Sequence, residues 1–176
     1  MQVSEIQLKA IMGVNSKYIP KFLPFINQYA SYGRVTTVDR MAAFLGQILH
    51  ESACLMYTTE LASGRAYEGR KDLGNIHPGD GEKYKGRGII QITGRVNYEL
   101  LAQEWNMPEL VDEPQLLAEP ELAVKSAYWF WDKHKLNELA DGRNFATITR
   151  RVNGGTNGAA SRKAFYDKAL TVLHAA

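Results

Sequence analysis

Apolar and polar residues repeat along most of this chain with the period of an α-helix. The clearest stripe advances in steps of four, three and four through Phe44, Ile48, Glu51 and Leu55. This spacing predicts one face of a helix that begins after Thr37, a residue type that caps helices well. Because Glu51 is the one carboxylate on an otherwise apolar stripe, it indicates a role beyond packing.

Helical patterns are also found on both sides of this stripe. A first helix is predicted between Ser4, as its N-cap, and Gly13, where it ends. A second is predicted to run to Tyr32, with Pro24 in its first turn. Later helices are predicted in residues 95–105, 119–134, 144–152 and 161–175.

Residues 63–94 interrupt the helical pattern. They include eight glycines, interleaved with basic and aromatic side chains. Long irregular stretches inside a compact domain are uncommon and usually functional. Only the segment IIQIT, residues 89–93, alternates in the manner of a strand. We therefore predict a mainly α fold, formed by a single domain over residues 1–176, with a glycine-rich insertion between two helical halves and at most a short β element.

Composition narrows the class of protein. With 45% hydrophobic and 23% charged residues, the chain fits an ordinary globular protein. Its net charge of +2 favours approach to an anionic polymer but is far below that of nucleic-acid-binding domains, so no nucleic-acid partner is expected. A single cysteine, Cys54, excludes an internal disulfide and is interpreted as a small buried residue. Neither a signal peptide nor a membrane-spanning stretch is recognised, so synthesis in the cytoplasm and no stable membrane insertion are expected.

The position of Glu51 suits acid catalysis. Burial disfavours the charged form of a carboxyl group, and a protonated carboxyl group can act as a general acid. The alternative is a glutamate at the rim of the helix, with its carboxylate in water. The polar neighbours Gln47 and His50 favour the first interpretation. Neither a cofactor nor a metal site is predicted, because His50 and Cys54 share a helix face but the remaining histidines show no paired spacing.

Hydrolysis of a glycosidic bond requires a second carboxyl group. Glu60 is the nearest candidate, nine residues after Glu51. In one straight helix this separation would place the two groups on opposite faces and about 13 Å apart along the axis. The helix must therefore end between them, and the threonines at 58 and 59 favour such an end. The other candidates for the second carboxyl group are Glu68 and Asp80.

Three further side chains offer neutral hydrogen-bonding groups near the end of the glycine-rich stretch. Gln91, Thr93 and Asn97 suit sugar hydroxyls and acetamides, and a hydroxyl can also hold an attacking water. The alternative is that they only satisfy backbone groups. The glycines of residues 79–88 have the spacing of neither a P-loop nor a dinucleotide-binding loop, so nucleotide binding is not predicted.

Taken together and in order, four segments resemble glycoside hydrolase family 19, which comprises chitinases and the related lysozyme-type endolysins of bacteriophages. The segments are MAAFLGQILHESA (41–53), YKGRGIIQITGRVNY (84–98), ITRRVNGG (148–155) and SRKAFY (161–166). Residues 67–95 resemble the endolysin branch in particular. Two departures from the family pattern are Val96, where many members have tyrosine, and the absence of the cysteines of plant-type members.

The resemblance implies a lysozyme-like, two-lobed α-helical fold and an inverting mechanism with two glutamates. Glu51 matches the general acid, Glu60 the base that activates water, and Thr93 a residue that holds this water. The positions that match substrate contacts, together with the histidine beside the acid, are His50, Gln91, Asn97, Asn153 and Arg162.

The activity implied is cleavage of β-1,4 bonds in bacterial peptidoglycan, serving lysis of a host cell. The expected partners are peptidoglycan glycan strands and a holin-type pore protein, which would let a monomeric enzyme pass from the host cytoplasm to the periplasm and cell wall. The alternatives are a chitinase that acts on N-acetylglucosamine polymers and a non-catalytic protein that binds cell-wall glycans.

Overall fold

The computed structural model describes residues 1–14 and 16–175, and most of them are helical. The α-helices are α1 (Glu5–Met12), α2 (Ile19–Tyr29), α3 (Val38–Glu51), α4 (Asp80–Lys83), α5 (Arg95–Glu104), α6 (Glu109–Asp112), α7 (Pro120–Lys133), α8 (Leu136–Asp141), α9 (Phe145–Asn153) and α10 (Ala159–His174). Short 3-10 helices cover Arg65–Tyr67, Lys71–Leu73 and Pro114–Ala118. The prediction of a mainly α fold is confirmed.

Several helix ends lie where the sequence places them. Ser4 accepts a hydrogen bond from the backbone of Gln7 at the start of α1, and Gly13 ends this helix with a φ of 69°. Thr37 caps α3 by accepting from the backbone N–H of Arg40. Gly154 ends α9 with a φ of 74°. Local capping chemistry therefore sets these boundaries.

The second helix differs from its prediction. It begins at Ile19 and ends at Tyr29, so Pro24 lies inside the helix instead of in its first turn. The residue in the first turn is Pro20. Ile19, Phe22 and Ile26 are buried along one face of α2. Burial of this face compensates for the backbone hydrogen bond that an internal proline removes.

The segment IIQIT was predicted to be extended and is instead a tight turn. Arg87 and Ile92 exchange backbone hydrogen bonds of 3.0 and 2.8 Å across it. Gly88 and Gln91 have positive φ angles of 83° and 63°, which reverse the chain within a few residues. The isoleucines at 89, 90 and 92 are all buried. The alternation was misleading because the isoleucines are buried in a turn and not along one face of a strand.

Helix α3 runs through the centre of the molecule and is buried along most of its length. It packs extensively against α10. On another side, the Phe44 ring stacks on Tyr128 of α7 with centroids 4.1 Å apart and meets Trp131 edge-on at 5.3 Å. The helix that carries Glu51 is therefore held rigidly by the core. Within residues 1–14 and 16–175, no helix is both long and apolar enough to cross a bilayer.

Candidate active site

The chain leaves the helical path directly after Glu51, the last residue of α3. The Ser52 hydroxyl donates to the carbonyl of Ile48 at 2.6 Å and accepts from the backbone N–H of Leu55 at 2.8 Å. Residues 53–55 then take left-handed conformations, with φ angles of 47°, 58° and 67°. The predicted end of the helix between the two glutamates is confirmed, and Leu55 belongs to the core from outside the helix.

An open cleft of about 350 Å³ contains both glutamates. Glu51 lies at the end of α3, and Glu60 lies in the irregular segment that follows. Gln91, from the tight turn, lines the same cleft. The remaining lining residues are Tyr57, Thr59, Leu61 and Ala62. The bend after α3 thus brings the two carboxylates to one space that is open to a polymer.

Glu51 is held by a buried arginine from α10. Arg162 is 1% exposed, and its Nη2 atom donates to Glu51 Oε1 at 2.5 Å. Its Nη1 atom donates to Gln47 Oε1 at 2.8 Å, and Gln47 Nε2 donates to Thr149 at 3.0 Å. The surroundings of Glu51 are therefore not only apolar, as its stripe suggests. The guanidinium fixes the orientation of the carboxyl group and stabilises negative charge on it.

Glu60 receives hydrogen bonds on both carboxylate oxygens. The Tyr67 hydroxyl donates to Oε1 at 2.8 Å, and the backbone N–H of Gly86 donates to Oε2 at 3.0 Å. Burial, with a further contribution from Glu60, raises the pKa of Tyr67 to about 12, so its phenol stays a donor at neutral pH. Both neighbours are donors, so they orient the Glu60 carboxyl group and stabilise negative charge on it, as Arg162 does for Glu51.

Sequence analysis did not identify Tyr67. It lies seven residues after Glu60, in a 3-10 helix that the pattern of apolar residues does not predict. Its aromatic ring in the glycine-rich stretch was the only available signal.

Gly86 brings the predicted water-holding and substrate-contacting residues close to Glu60. A Cβ atom at this glycine would lie 2.8 Å from Gln91 Oε1, 3.1 Å from Glu60 Oε2 and 3.2 Å from Thr93 Oγ1. These three oxygens therefore surround one backbone position that has no space for a side chain. The Thr93 hydroxyl donates to the carbonyl of Gln91 at 3.0 Å, and its lone pairs are available to a water.

Gln91 and Asn97 have different surroundings. Gln91 Nε2 donates to the carbonyl of Gly88 at 3.0 Å, while its buried Oε1 accepts no hydrogen bond from the described residues. A buried acceptor without a donor is costly, and a donor from a substrate or water would satisfy it. The Asn97 side chain, on α5, donates to the carbonyl of Thr93 at 2.8 Å and so links this helix to the end of the tight turn.

Five of the predicted site residues do not line the cleft, namely His50, Thr93, Asn97, Asn153 and Arg162. His50 Nδ1 lies 3.0 Å from the Ser161 hydroxyl, and its ring packs on Gly158, where a Cβ atom would be 2.2 Å from Nε2. Burial, aided by the charge of Arg162, lowers the pKa of His50. Asn153 is the half-buried last residue of α9. Direct contacts of these five side chains with a substrate or with the attacking water stay predictions.

The two other candidates for the second carboxyl group stabilise the glycine-rich segment. Glu68 accepts from the backbone N–H groups of Gly79 at 2.7 Å and Gly81 at 2.8 Å. Asp80 is buried and pairs with Arg95 at 2.6 Å, which holds the pKa of this carboxyl group below its usual value. Neither lines the cleft, so among the three candidates only Glu60 shares a space with Glu51.

In the part of the chain that the structure describes, no three histidine, cysteine, aspartate or glutamate side chains lie close enough together to bind a metal ion. Cys54 is half-buried and not fully buried as interpreted, and it lies in the left-handed turn that follows α3 instead of on the helix. Partial burial raises the pKa of its thiol.

The sequence matches a family model described as chitinase class I over residues 21–166. A glycosyl hydrolase family 19 domain-containing protein of Haemophilus influenzae is 40% identical over 113 residues, which are 64% of this chain and 54% of the relative. An endochitinase of Arabidopsis thaliana is 35% identical over 134 residues, covering 76% of this chain and 46% of the relative. The chain spans about half the length of these relatives.

Solved structures show the same fold. Chitinase C from Streptomyces griseus superimposes with a TM-score of 0.77 at 20% identity, covering 98% of this chain and 92% of the other. A class IV chitinase from Zea mays gives a TM-score of 0.74 at 25% identity, again covering 98% and 92%. The helical arrangement around the cleft is thus shared with these proteins.

Proposed function

The chain belongs to glycoside hydrolase family 19, and from this premise we propose that it hydrolyses the β-1,4 glycosidic bonds of bacterial peptidoglycan by an inverting mechanism. The observation that carries the proposal is the single cleft that Glu51 and Glu60 share. Two carboxyl groups on opposite sides of a bond are what this chemistry requires, at a separation of about 6.5–9.5 Å that leaves space for a water.

In the proposed reaction, Glu51 donates its proton to the leaving oxygen. The negative charge that then forms on Glu51 is stabilised by Arg162, whose Nη2 atom is 2.5 Å away. Glu60, whose two oxygens accept hydrogen bonds from Tyr67 and Gly86, removes a proton from the water that attacks the opposite face of the sugar. Thr93 positions this water, because its hydroxyl lies beside the same backbone glycine as Glu60.

The choice of peptidoglycan as substrate rests on two features. Residues 67–95 resemble endolysins, and the net charge of +2 favours an anionic polymer over a neutral one. In this proposal the enzyme is a monomer that serves lysis of a host cell. It accumulates in the host cytoplasm and reaches the cell wall through a pore formed by a holin-type partner.

Chitin hydrolysis is the second candidate, since several relatives are named endochitinases. The same two glutamates would act on a neutral N-acetylglucosamine polymer. Initial rates of reducing-end release from purified sacculi and from chitin oligomers, at equal enzyme concentration, separate the two. Faster release from sacculi supports the proposal, and release from chitin oligomers alone assigns a chitinase.

The test of the catalytic role is Glu51→Gln, which removes the proton donor and keeps the shape of the side chain. We expect no measurable release of reducing ends from sacculi and an unchanged circular dichroism spectrum. Glu109→Gln, at an exposed position on α6, is the matched control and should retain full activity. Activity of Glu51→Gln at the level of this control would contradict the proposal, and binding to sacculi without any hydrolysis by the wild type would indicate a glycan-binding protein.

A further inference from the structure

A second cavity, of about 320 Å³, lies between the α9 segment and the start of α10. Its walls carry three basic side chains, Arg143, Arg150 and Lys163. Apolar surface is supplied by Phe145 and Ala146. No residue that lines this cationic cavity also lines the cleft of the two glutamates, so it is a separate site.

The charge of the cationic cavity is not neutralised from within. Within residues 1–14 and 16–175, no acidic side chain lines it, and none forms an ion pair with Arg150. Lys163 pairs with Asp167 at 2.5 Å, but both side chains are more than half exposed, and such pairs contribute little. These two cations are therefore available to an anionic ligand. Arg143 lies 3.2 Å from Asp39, so its charge is partly compensated by a carboxylate outside the cavity.

The volume of the cationic cavity and the residues that line it indicate which kind of ligand it can bind. A space of 320 Å³ has room for about ten water molecules, which is more than one inorganic anion fills. The Phe145 ring and the Ala146 methyl group suit a small apolar substituent beside the anionic group. Arginine and lysine together suit a carboxylate. The combination fits the C-terminal carboxylate of a short peptide of small residues.

The cationic cavity also lies at the far end of the network that holds the acid. Thr149 lines the cavity and is 3% exposed, and its hydroxyl accepts the hydrogen bond from Gln47 that continues to Arg162 and Glu51. The cationic cavity and the cleft therefore lie at the two ends of one buried hydrogen-bond network.

We propose that the cationic cavity binds the free carboxylate of a peptidoglycan peptide stem. The inference rests on the proposed function, because peptide stems with free carboxylates are present in peptidoglycan and absent from chitin. It identifies a contact that selects the anionic polymer, away from the bond that is cleaved.

The test is a calorimetric titration of the whole chain with acetylated D-alanyl-D-alanine and with its C-terminal amide. We expect saturable binding of the acid and at least about tenfold weaker binding of the amide, since charge-assisted hydrogen bonds are lost. The double variant Arg150→Gln, Lys163→Gln should weaken binding of the acid by a similar factor. Lys21→Gln, Lys168→Gln has the same net charge with the cavity intact and should bind as the wild type does.

A second variant keeps the test independent of charge and of folding. Ala146→Leu fills the cationic cavity without changing net charge, and it should abolish binding while its thermal midpoint stays that of the wild type. Equal affinity of the acid and the amide, unchanged binding by the double variant, or no binding by the wild type would overturn the inference. Tighter binding of inorganic phosphate than of the peptide would also overturn it, by assigning the cavity to phosphate.

The peptide titration does not depend on hydrolysis. If sacculi release no reducing ends but the peptide binds in the cavity, the proposed function fails and the binding site stands. If sacculi are hydrolysed and the peptide does not bind, the cavity inference fails and the proposed function stands.

Discussion

The second carboxylate, Glu60, carries a prediction at the scale of one residue. Glu60→Gln should lower the rate of reducing-end release from sacculi by about 10²–10⁴-fold, the usual contribution of a general base. The reason is that an amide cannot accept the proton of the attacking water. Glu82→Gln, at an exposed position, is the control. Full activity of Glu60→Gln would move the role to Glu68 or Asp80, against the geometry of the cleft.

Ionisation of Tyr67, which donates to Glu60, makes the free energy of unfolding depend on pH. Its pKa of about 12 in the fold lies above the ordinary value of 10.0, mainly because of burial and then because of the hydrogen bond to Glu60. The neutral phenol is therefore the form that the fold stabilises. This contribution is complete below pH 10 and is lost as the pH rises towards 12.

The corresponding measurement is the difference in free energy of unfolding between the wild type and Tyr67→Phe, taken by denaturant titration across this pH range. We expect a constant difference below about pH 10 that shrinks as the pH approaches 12. Tyr67→Phe should also slow hydrolysis at neutral pH, because one donor to Glu60 is lost. A difference that does not change above pH 10 would contradict this account of Tyr67.

Arg162 and Glu51 form the pair that sequence analysis could not find. They lie 111 residues apart and meet only because α3 packs on α10. Arg162→Gln should lower the free energy of unfolding by about 3 kcal/mol or more, since it leaves buried polar groups without their partner.

A double-mutant cycle with Glu51→Gln checks this pairing, and the double variant should lose less stability than the sum of the two single variants. The exposed pair Arg34 and Asp132, whose atoms lie 2.6 Å apart, is the control and should contribute less than about 1 kcal/mol. Additive losses in the Arg162 cycle would show that the two side chains do not interact.

At the scale of elements, the turn after α3 stores conformational strain. Ala53, Cys54 and Leu55 are three consecutive residues with positive φ, and each costs about 1–2 kcal/mol for an L-residue. Ala53→Gly should therefore raise the free energy of unfolding by about 0.5–1 kcal/mol, after the entropy that glycine loses on folding. Denaturant titration measures this change.

Ala10→Gly, at an exposed position inside α1, is the control for this substitution. It should lower stability by about 1 kcal/mol, because Ala10 already has helical geometry. Destabilisation by Ala53→Gly of similar size to that by Ala10→Gly would contradict the claim of strain at the end of the catalytic helix.

How much of the fold the sequence predicts depends on local chemistry. Helices with a capping residue and a glycine stop, such as α1 and α9, were predicted almost to the residue. Helices α4, α6 and α8 were not predicted, because four, four and six residues are too short to show a helical period. The turn at 89–93 was mistaken for an extended segment, since its three isoleucines are buried for tertiary reasons.

At the scale of the whole molecule, the site combines elements that are distant in sequence. The end of α3 supplies Glu51, and the glycine-rich stretch supplies Tyr67, Gly86 and Thr93 around Glu60. Helix geometry alone predicted Glu51 and the bend that Glu60 would need, while the choice of Glu60 over Glu68 and Asp80 came from the resemblance to the family. The sequence could not predict the donors that hold each carboxylate, because these depend on how the stretch folds back on itself.

The central claim is that Glu51 and Glu60 act from opposite faces of a β-1,4 bond. The most direct measurement is proton NMR of the reducing end that appears when purified peptidoglycan glycan strands are digested, recorded before mutarotation. The account predicts that the α anomer forms first, because water attacks the face opposite to the leaving group. First appearance of the β anomer would contradict it.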